Sequence, residues 1–285
     1  PQEDRMSQQE PPAVRGLPSA VRQRMISRMP LTNPVLDQLR RHGSARHYRP
    51  DPIAAETLET IIDCAQRAPT SSNVQAYAVI AVSEAAQRAE LATLCGNQDQ
   101  VREAPLFLAW CADLSRVDRA TVLRGHPHQH DYVENFLIAA IDATLAAQNA
   151  ALAAESLGLG VCYIGALRNN TRSIIRLFDL PRLMFPLFGM TLGVPIRTPQ
   201  PRPRLPLRAV LHHERYSVAG QDEALRDYDQ TMIATGIYDG RQVPVPGHPD
   251  TLEAYGWTEH TARRVSRPAR VDLRAVLEEQ GFHLK

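Results

Sequence analysis

The longest helical pattern in the chain, Tyr132 to Leu157, constrains the fold more than any other stretch. It is rich in small residues and apolar on most sides, and Gly158-Leu159-Gly160 stops it. A helix that is hydrophobic nearly all round is either the core of a domain or a membrane span. Its most apolar part, Phe136 to Leu159, contains Asp142, Gln148, Asn149 and Glu155, too many polar groups for a lipid-facing segment. The helix is therefore expected at the buried centre of a domain, with no membrane as partner.

The pattern around it supplies the rest of that domain. Residues 1–32 read as a flexible tail of Pro, Gln, Ser and Arg with no sustained period. A helix is expected from Asn33 to Arg41, with Val35, Leu36 and Leu39 on one face. Another is expected from Pro52 to Arg67, with Leu58, Ile61, Ile62 and Ala65 inward. Strands are expected over Ala76–Val82, Pro105–Ala112, Val161–Ile164 and Phe188–Val194, with helices over Glu84–Cys95, from Gln98, and over Asn169–Phe178. Residues 114–131 read as a polar, His-rich connection. The five prolines between Pro195 and Pro206 exclude regular structure there. Beyond them the pattern suggests a strand over Arg208–Leu211, a helix over Glu223–Ala234, a Pro/Gly loop over 238–250, and short helices over Glu259–Val265 and Leu273–Gln280. Strand spacing is irregular and no Gly-rich fingerprint follows the first strand, which favours α+β over a doubly wound sheet. Residues 33–285 are expected to form one domain with a C-terminal excursion over 220–285.

A formal net charge of +1 gives no global field for nucleic acid. The only lysine is Lys285, so any anion site must use arginine or backbone N–H groups. Cys64, Cys95, Cys111 and Cys162 form no C-x-x-C pair and sit in apolar runs. They read as buried free thiols, which favours a reducing, cytoplasmic setting. The alternating His126, His128 and His130 could ligate Zn²⁺ or Ni²⁺. The solvent-exposed-loop reading is preferred for them and for His212-His213-Glu214, so no metal is expected.

Four segments carry candidate chemistry. Around a helix-to-loop junction, Arg41-His42-Gly43-Ser44-Ala45-Arg46 offers two arginines, an imidazole and a hydroxyl, a set suited to a phosphate monoester but equally to a solvated basic helix end. Just before a strand, Thr70-Ser71-Ser72-Asn73-Val74-Gln75 offers neutral donors and acceptors for a heterocycle edge, or ordinary turn chemistry. At a strand end, Gly165 after Tyr163-Ile164 would let a backbone N–H approach a ligand closely. Finally, Arg202-Pro203-Arg204 holds two arginines in a proline-stiffened loop, ready for an anion or simply exposed.

In this order and spacing the segments resemble the nitroreductase/flavin reductase family, most closely its oxygen-insensitive NADPH nitroreductase (NADPH–FMN oxidoreductase) subgroup. The resemblance rests on R-H-G-S-A-R-H-Y (41–48), T-S-S-N-V-Q (70–75), G-N-Q-D-Q-V (96–101) with A-W-C-A-D (109–113), and the long run 146–170. It also rests on P-L-F-G-M-T-L-G-V-P followed by R-P-R-L-P (186–206) and S-R-P (266–268). It implies an α+β fold, a mostly antiparallel sheet flanked by helices, in an intertwined homodimer with FMN at the interface. On the resemblance, His42, Gly43, Ser44, Arg46, Arg202 and Arg204 hold the phosphate and ribityl chain. Ser71, Ser72, Asn73, Gln75 and Gln98 meet the ring or its edge, and Tyr163, Ile164 and Gly165 line it. Arg168 and Arg267 look into the open substrate side. The chain departs from the subgroup at Gly43, where relatives often carry a basic residue, and at Arg202, where they often carry Lys.

The implied activity is hydride transfer from NADPH or NADH to nitroaromatics, quinones or related acceptors by a ping-pong mechanism. Free-flavin reduction and non-enzymatic flavin storage on the same scaffold are the alternatives. No side-chain acid or base is needed, because the flavin carries the chemistry. Arg46 is the candidate that stabilises charge near N1 and the C2 carbonyl, and the Gly165 N–H the one placed near N5. The subgroup's nucleotide-reading Arg is replaced here by Thr235 beside Gly236. Both nucleotides are therefore expected, with a modest NADPH preference that depends on Arg241.

Overall fold

A computed structural model describes residues 31–285 apart from Pro246; the tail expected over the first thirty residues lies outside the described residues. The chain divides into one unit ending at Arg41 and a second running from His42 to Lys285. In the first, helix α1 (Pro34–Arg41) starts where the Asn33 carboxamide accepts from the Leu36 N–H at 2.9 Å. None of its residues is buried, so the apolar face of Val35 and Leu39 stays open within that unit.

The second unit is built on four strands: β1 (Tyr77–Val82), β2 (Leu106–Asp113), β3 (Gly160–Ile164) and β4 (Met184–Gly193). They form one sheet in the order β1-β2-β4-β3, antiparallel throughout. Strand β2 reads Leu-Phe-Leu-Ala-Trp-Cys-Ala-Asp and every residue of it is buried, as a central strand covered on both faces requires. Alternation assigns the faces. Leu106, Leu108 and Trp110 join Met190 and Leu192 in one cluster, while Phe107 and Ala109 join Val82, Ile164 and Ile174 in another.

The first cluster is closed by α2 (Ala55–Gln66), through Ile61 and Ala65, and by α6 (Val133–Ser156). The second is closed by α3 (Ala85–Leu94), α4 (Asp99–Glu103) and α7 (Thr171–Leu177). The result is an α+β sandwich of three layers, as expected. Eight residues of α6 are buried, and all but Asp142 are alanine. Among the described residues α6 is the one helix long and apolar enough to cross a membrane, yet its alanine face lies against α2 and the sheet. Small side chains let the helix approach that closely.

Pro186 sits inside β4 and cannot donate to the ladder. The register slips beside it: Trp110 faces Phe188 and Cys111 faces Pro186, leaving Leu187 opposite no residue. The Leu187 carbonyl accepts from the Arg168 guanidinium instead.

Three expectations need correction. The 114–131 connection contains helix α5 (Ser115–Arg124), held at its start by the Asp113 carboxylate, which accepts from the Ser115 N–H at 3.0 Å and its hydroxyl at 2.6 Å. The Arg208–Leu211 strand is absent; Leu207–Ala209 is a single 3-10 turn after Pro206, which has no partner strand. The Pro/Gly loop is a hairpin of β5 (Gln242–Val245) and β6 (His248–Ala254). Pro244 is tolerated in it because a two-stranded ribbon has only edge strands. That hairpin lies between α8 (Gln221–Ala234) and α9 (Trp257–Val265). Asp229 on α8 accepts from the N–H and hydroxyl of Thr258, both at 2.9 Å, and so joins the two helices. Helix α10 (Leu273–Glu279) closes the chain.

Candidate active site

Segment 42–46 runs along β3. The Ala45 N–H donates to the Val161 carbonyl at 2.9 Å, and a Cβ placed on Gly160 would lie 2.5 Å from that of Ala45. Only glycine permits this approach. Gly43 is equally closed in: a Cβ there would meet the Gln200 carbonyl oxygen at 2.8 Å and Pro199 at 2.9 Å. The contact explains why this position holds no larger residue. It also brings the first basic segment against the proline-rich stretch that leads into Arg202 and Arg204.

Ser44 and Arg46 line an open cavity of about 690 Å³, together with Tyr48, Glu103 and residues 196–199. Tyr48 anchors its floor, its hydroxyl donating to the Ala45 carbonyl at 2.6 Å and sharing a hydrogen bond with Thr191 at 2.7 Å. Burial pushes the Tyr48 phenol above its ordinary range. It likewise raises the Cys162 thiol, against the opposing Arg46 charge and a hydrogen bond from Ser44. Arg204 donates to the Arg202 carbonyl at 3.0 Å, and the Tyr228 hydroxyl on α8 fixes the loop by donating to the Pro203 carbonyl at 3.0 Å. Among the described residues, Arg46, Arg202 and Arg204 form no ion pair with a carboxylate.

The loop 71–75 is exposed, and Ser72, Asn73 and Gln75 all take positive φ, at 48°, 58° and 55°. Three such residues in one short loop store strain that the surroundings must hold. Asp142 holds it. This buried carboxylate on α6 accepts from the Ser71 N–H at 3.0 Å and the Ala76 N–H at 3.1 Å, one at each end of the loop. Two further polar residues of α6 hold the other segments. Gln148 accepts from the Tyr163 hydroxyl at 3.3 Å, and Glu155 pairs with His42 Nδ1 at 2.6 Å. One helix thus positions three of the candidate segments.

Placement of the remaining candidates varies. Tyr163 points outward and packs its ring 5.5 Å from that of Phe188, while Ile164 alternates inward and is buried, so only its backbone can face a ligand. Gly165 opens a 3-10 turn and leaves ordinary room, the Arg168 guanidinium being 3.7 Å from a Cβ built there. Arg168 lines a small apolar pocket with Phe136, Phe188 and Leu277, and desolvation, then Arg270, lower its pKa. Gln98 accepts from Gln100 at 2.7 Å at the start of α4. Arg267 is exposed beyond α9. Arg241 lies over the Tyr255 ring at 5.7 Å, beside Tyr238 and His260. Thr235 caps the end of α8 by donating to the Met232 carbonyl at 2.6 Å.

The residues that sequence reasoning passed over are Asp142, Gln148 and Glu155. Each was visible as a polar group in an otherwise apolar helix, but their partners are as many as 113 positions away.

Residues 39–194 match the family model described as Nitroreductase family, and residues 202–285 match that of its C-terminal domain. A Cr(VI) reductase from a Pseudomonas species is 38% identical over 251 residues, covering 88% of this chain and 100% of the relative. The oxygen-insensitive NADPH nitroreductase of Salmonella typhimurium is 33% identical, covering 88% of this chain and 98% of the relative. Among solved structures, the NADPH:FMN oxidoreductase from Vibrio harveyi complexed with NAD+ superposes with a TM-score of 0.78 at 33% identity, covering 89% of this chain and 100% of that one. The chain is a member of the nitroreductase family, over both the main part of its fold and the C-terminal excursion.

Proposed function

We propose that this chain is an FMN-dependent oxidoreductase that passes hydride from NADPH or NADH to nitroaromatic or quinone acceptors. The observation that carries the reading is that α6 holds the strained 71–75 loop, Tyr163 and His42, while Gly43 packs the segment of Arg46 against the 199–200 stretch that leads to Arg202 and Arg204, none of the three arginines pairing with a carboxylate among the described residues. The residues present fit the cofactor. Ser44, Arg46, Arg202 and Arg204 are charge-assisted or neutral donors without an acidic partner among the described residues, as a phosphate requires. Gly43 leaves the backbone close enough to form a cradle. FMN, when bound, supplies the two-electron hydride chemistry.

The chain's own residues do the rest. Arg46 places a fixed positive charge where negative charge develops, and Glu155 orients His42. Asp142 presents the exposed groups of Ser71, Ser72, Asn73 and Gln75, with Gln98 at the ring edge. Tyr163 and the backbone of Ile164 and Gly165 line the ring. Arg168 and Arg267 flank the open side, which donor and acceptor occupy in turn, a ping-pong order. Arg241, on its aromatic support, receives the nucleotide phosphate.

The same reading makes the protein a homodimer. Val133, Leu137, Ile141 and Leu145 recur every fourth residue on α6 and are exposed, Leu137 at 47% and Ile141 at 55%. Such a stripe beside the 69–71 stretch is an interface rather than a solvent face. A second copy would cover it. Cytoplasmic placement follows from four free thiols.

The test is the spectrum and turnover of purified protein. A yellow dimer that oxidises nicotinamide only with a quinone or nitroaromatic added supports the reading. Nicotinamide oxidation that needs excess free flavin instead makes it a flavin reductase, and bound FMN without turnover makes it a storage protein. A colourless protein that takes up no FMN overturns it.

A further inference from the structure

The connection read as a solvated loop turns two of its three histidines inward. His126 is exposed, but the His128 side chain is only 9% exposed and His130 is half-buried. Their rings lie edge to face with centroids 5.0 Å apart. His128 Nδ1 is 3.2 Å from Asp118 Oδ1, on the first turn of α5. An ion shared with Asp118 would meet His128 at this same Nδ1, in place of the hydrogen bond. His128 Nε2 is buried with no hydrogen-bond partner among the described residues, and so is His130 Nδ1. A buried imidazole nitrogen left unsatisfied is costly unless something accepts its lone pair, as an ion at His130 Nδ1 would.

We propose that Asp118, His128 and His130 bind one divalent transition-metal ion, with Zn²⁺ the best match, at a site separate from the flavin residues. One ligand atom from each of the three lies within 4.8 Å of the others. Tetrahedral Zn²⁺ with bonds near 2.0 Å wants its ligands about 3.3 Å apart, so small side-chain movements close the site. Two imidazoles and one carboxylate select Zn²⁺ and its neighbours over Mg²⁺ or Ca²⁺. The other nitrogen of His130 has an acid of its own, Asp131 at 3.7 Å. Water completes the shell.

The surroundings are rigid enough to hold such a site. The Gly125 turn ends α5, with the His126 N–H donating to the Thr121 carbonyl at 3.0 Å. The Asn135 side chain donates to the Gln129 carbonyl at 2.8 Å. The Lys285 N–H donates to the Asp131 carbonyl at 2.7 Å, and the Lys285 ammonium pairs with the Asp131 carboxylate at 2.6 Å. A bound ion would tie α5, this connection and the start of α6 together.

The experiment is equilibrium dialysis of the full, flavin-loaded chain, first stripped with chelator, against Zn²⁺, repeated for H126A, H128A, H130A and D118N. One ion per chain is expected in the native protein and in H126A. Affinity should fall at least tenfold in H128A, H130A and D118N, and the native melting temperature should rise with Zn²⁺. Co²⁺ should give the intense visible bands of a tetrahedral site, lost in H128A. If H128A fails to fold, H130A and D118N carry the same comparison. No stoichiometric uptake, or uptake unchanged in both H128A and H130A, overturns the proposal.

Discussion

The parts of the site held by α6 and the part carried on the β5–β6 hairpin are built differently. Around α6, each of three candidate segments ends on a polar side chain of a core helix: the 71–75 loop on Asp142, Tyr163 on Gln148, His42 on Glu155. On the hairpin, Arg241 rests on an aromatic cluster near the surface, and Val243 is the one buried residue of β5. Groups that must meet a ring within a fraction of an ångström are thus fixed to the frame. On the function proposed, nucleotide choice is left to an element that can change without disturbing it.

The contrast is broken most easily at Asp142. Asp142→Ala leaves two backbone N–H groups beside a strained loop without an acceptor, at a cost of about 3 kcal/mol. For a chain of this size that is a fall of roughly 6–12 °C in Tm by calorimetry, accompanied by loss of FMN. An unchanged Tm would show that α6 does not hold the loop. Arg204→Ala tests the anion site without touching the frame. FMN should bind roughly tenfold to a hundredfold more weakly, the worth of a charge-assisted contact, with Tm of the flavin-free protein unchanged. Arg46→Ala should also slow flavin reduction in stopped flow.

Gly43→Ala asks whether the cradle or the flexibility of glycine matters. Its Cβ would press on the Gln200 carbonyl, so a destabilisation of about 1–3 kcal/mol in urea melts is expected. A neutral result would mean that the 199–200 stretch yields freely.

On the hairpin, Arg241→Ala should lower the NADPH-to-NADH ratio of kcat/KM by about twofold to fivefold, the scale of an exposed charge contact, and leave Tm alone. Strong NADPH selectivity that survives the change would move nucleotide reading elsewhere. The thiols act only at high pH. Burial pushes Cys95 and Cys111 up to about 12, against an ordinary value of 9.0. Unfolded thiols ionise first as pH rises, so these two should cost stability progressively between pH 9 and 12 and resist alkylation at pH 8. Cys162→Ser should keep turnover within about twofold, because a buried thiol acts as a small hydrophobe.

How far the molecule could be read from its residues depended on the range of the forces involved. The α+β class, the four strands and the central helix follow from periodicity and from glycine and proline punctuation, which act within a few residues. The basic and polar segments were legible as candidate sites because their composition is local too. The β5–β6 ribbon was not, since prolines argue against a strand unless it lies at an edge, and only the fold supplies edges. Nor could the sequence tell whether His128 and His130 face water. That was decided when α5 brought Asp118 beside them. The same holds for Asp142, Gln148 and Glu155. Locally they are polar interruptions of an apolar helix, and only long-range packing set a loop, a tyrosine and a histidine within hydrogen-bond reach of them. A hydrogen bond acts over about 3 Å, whatever the distance along the chain.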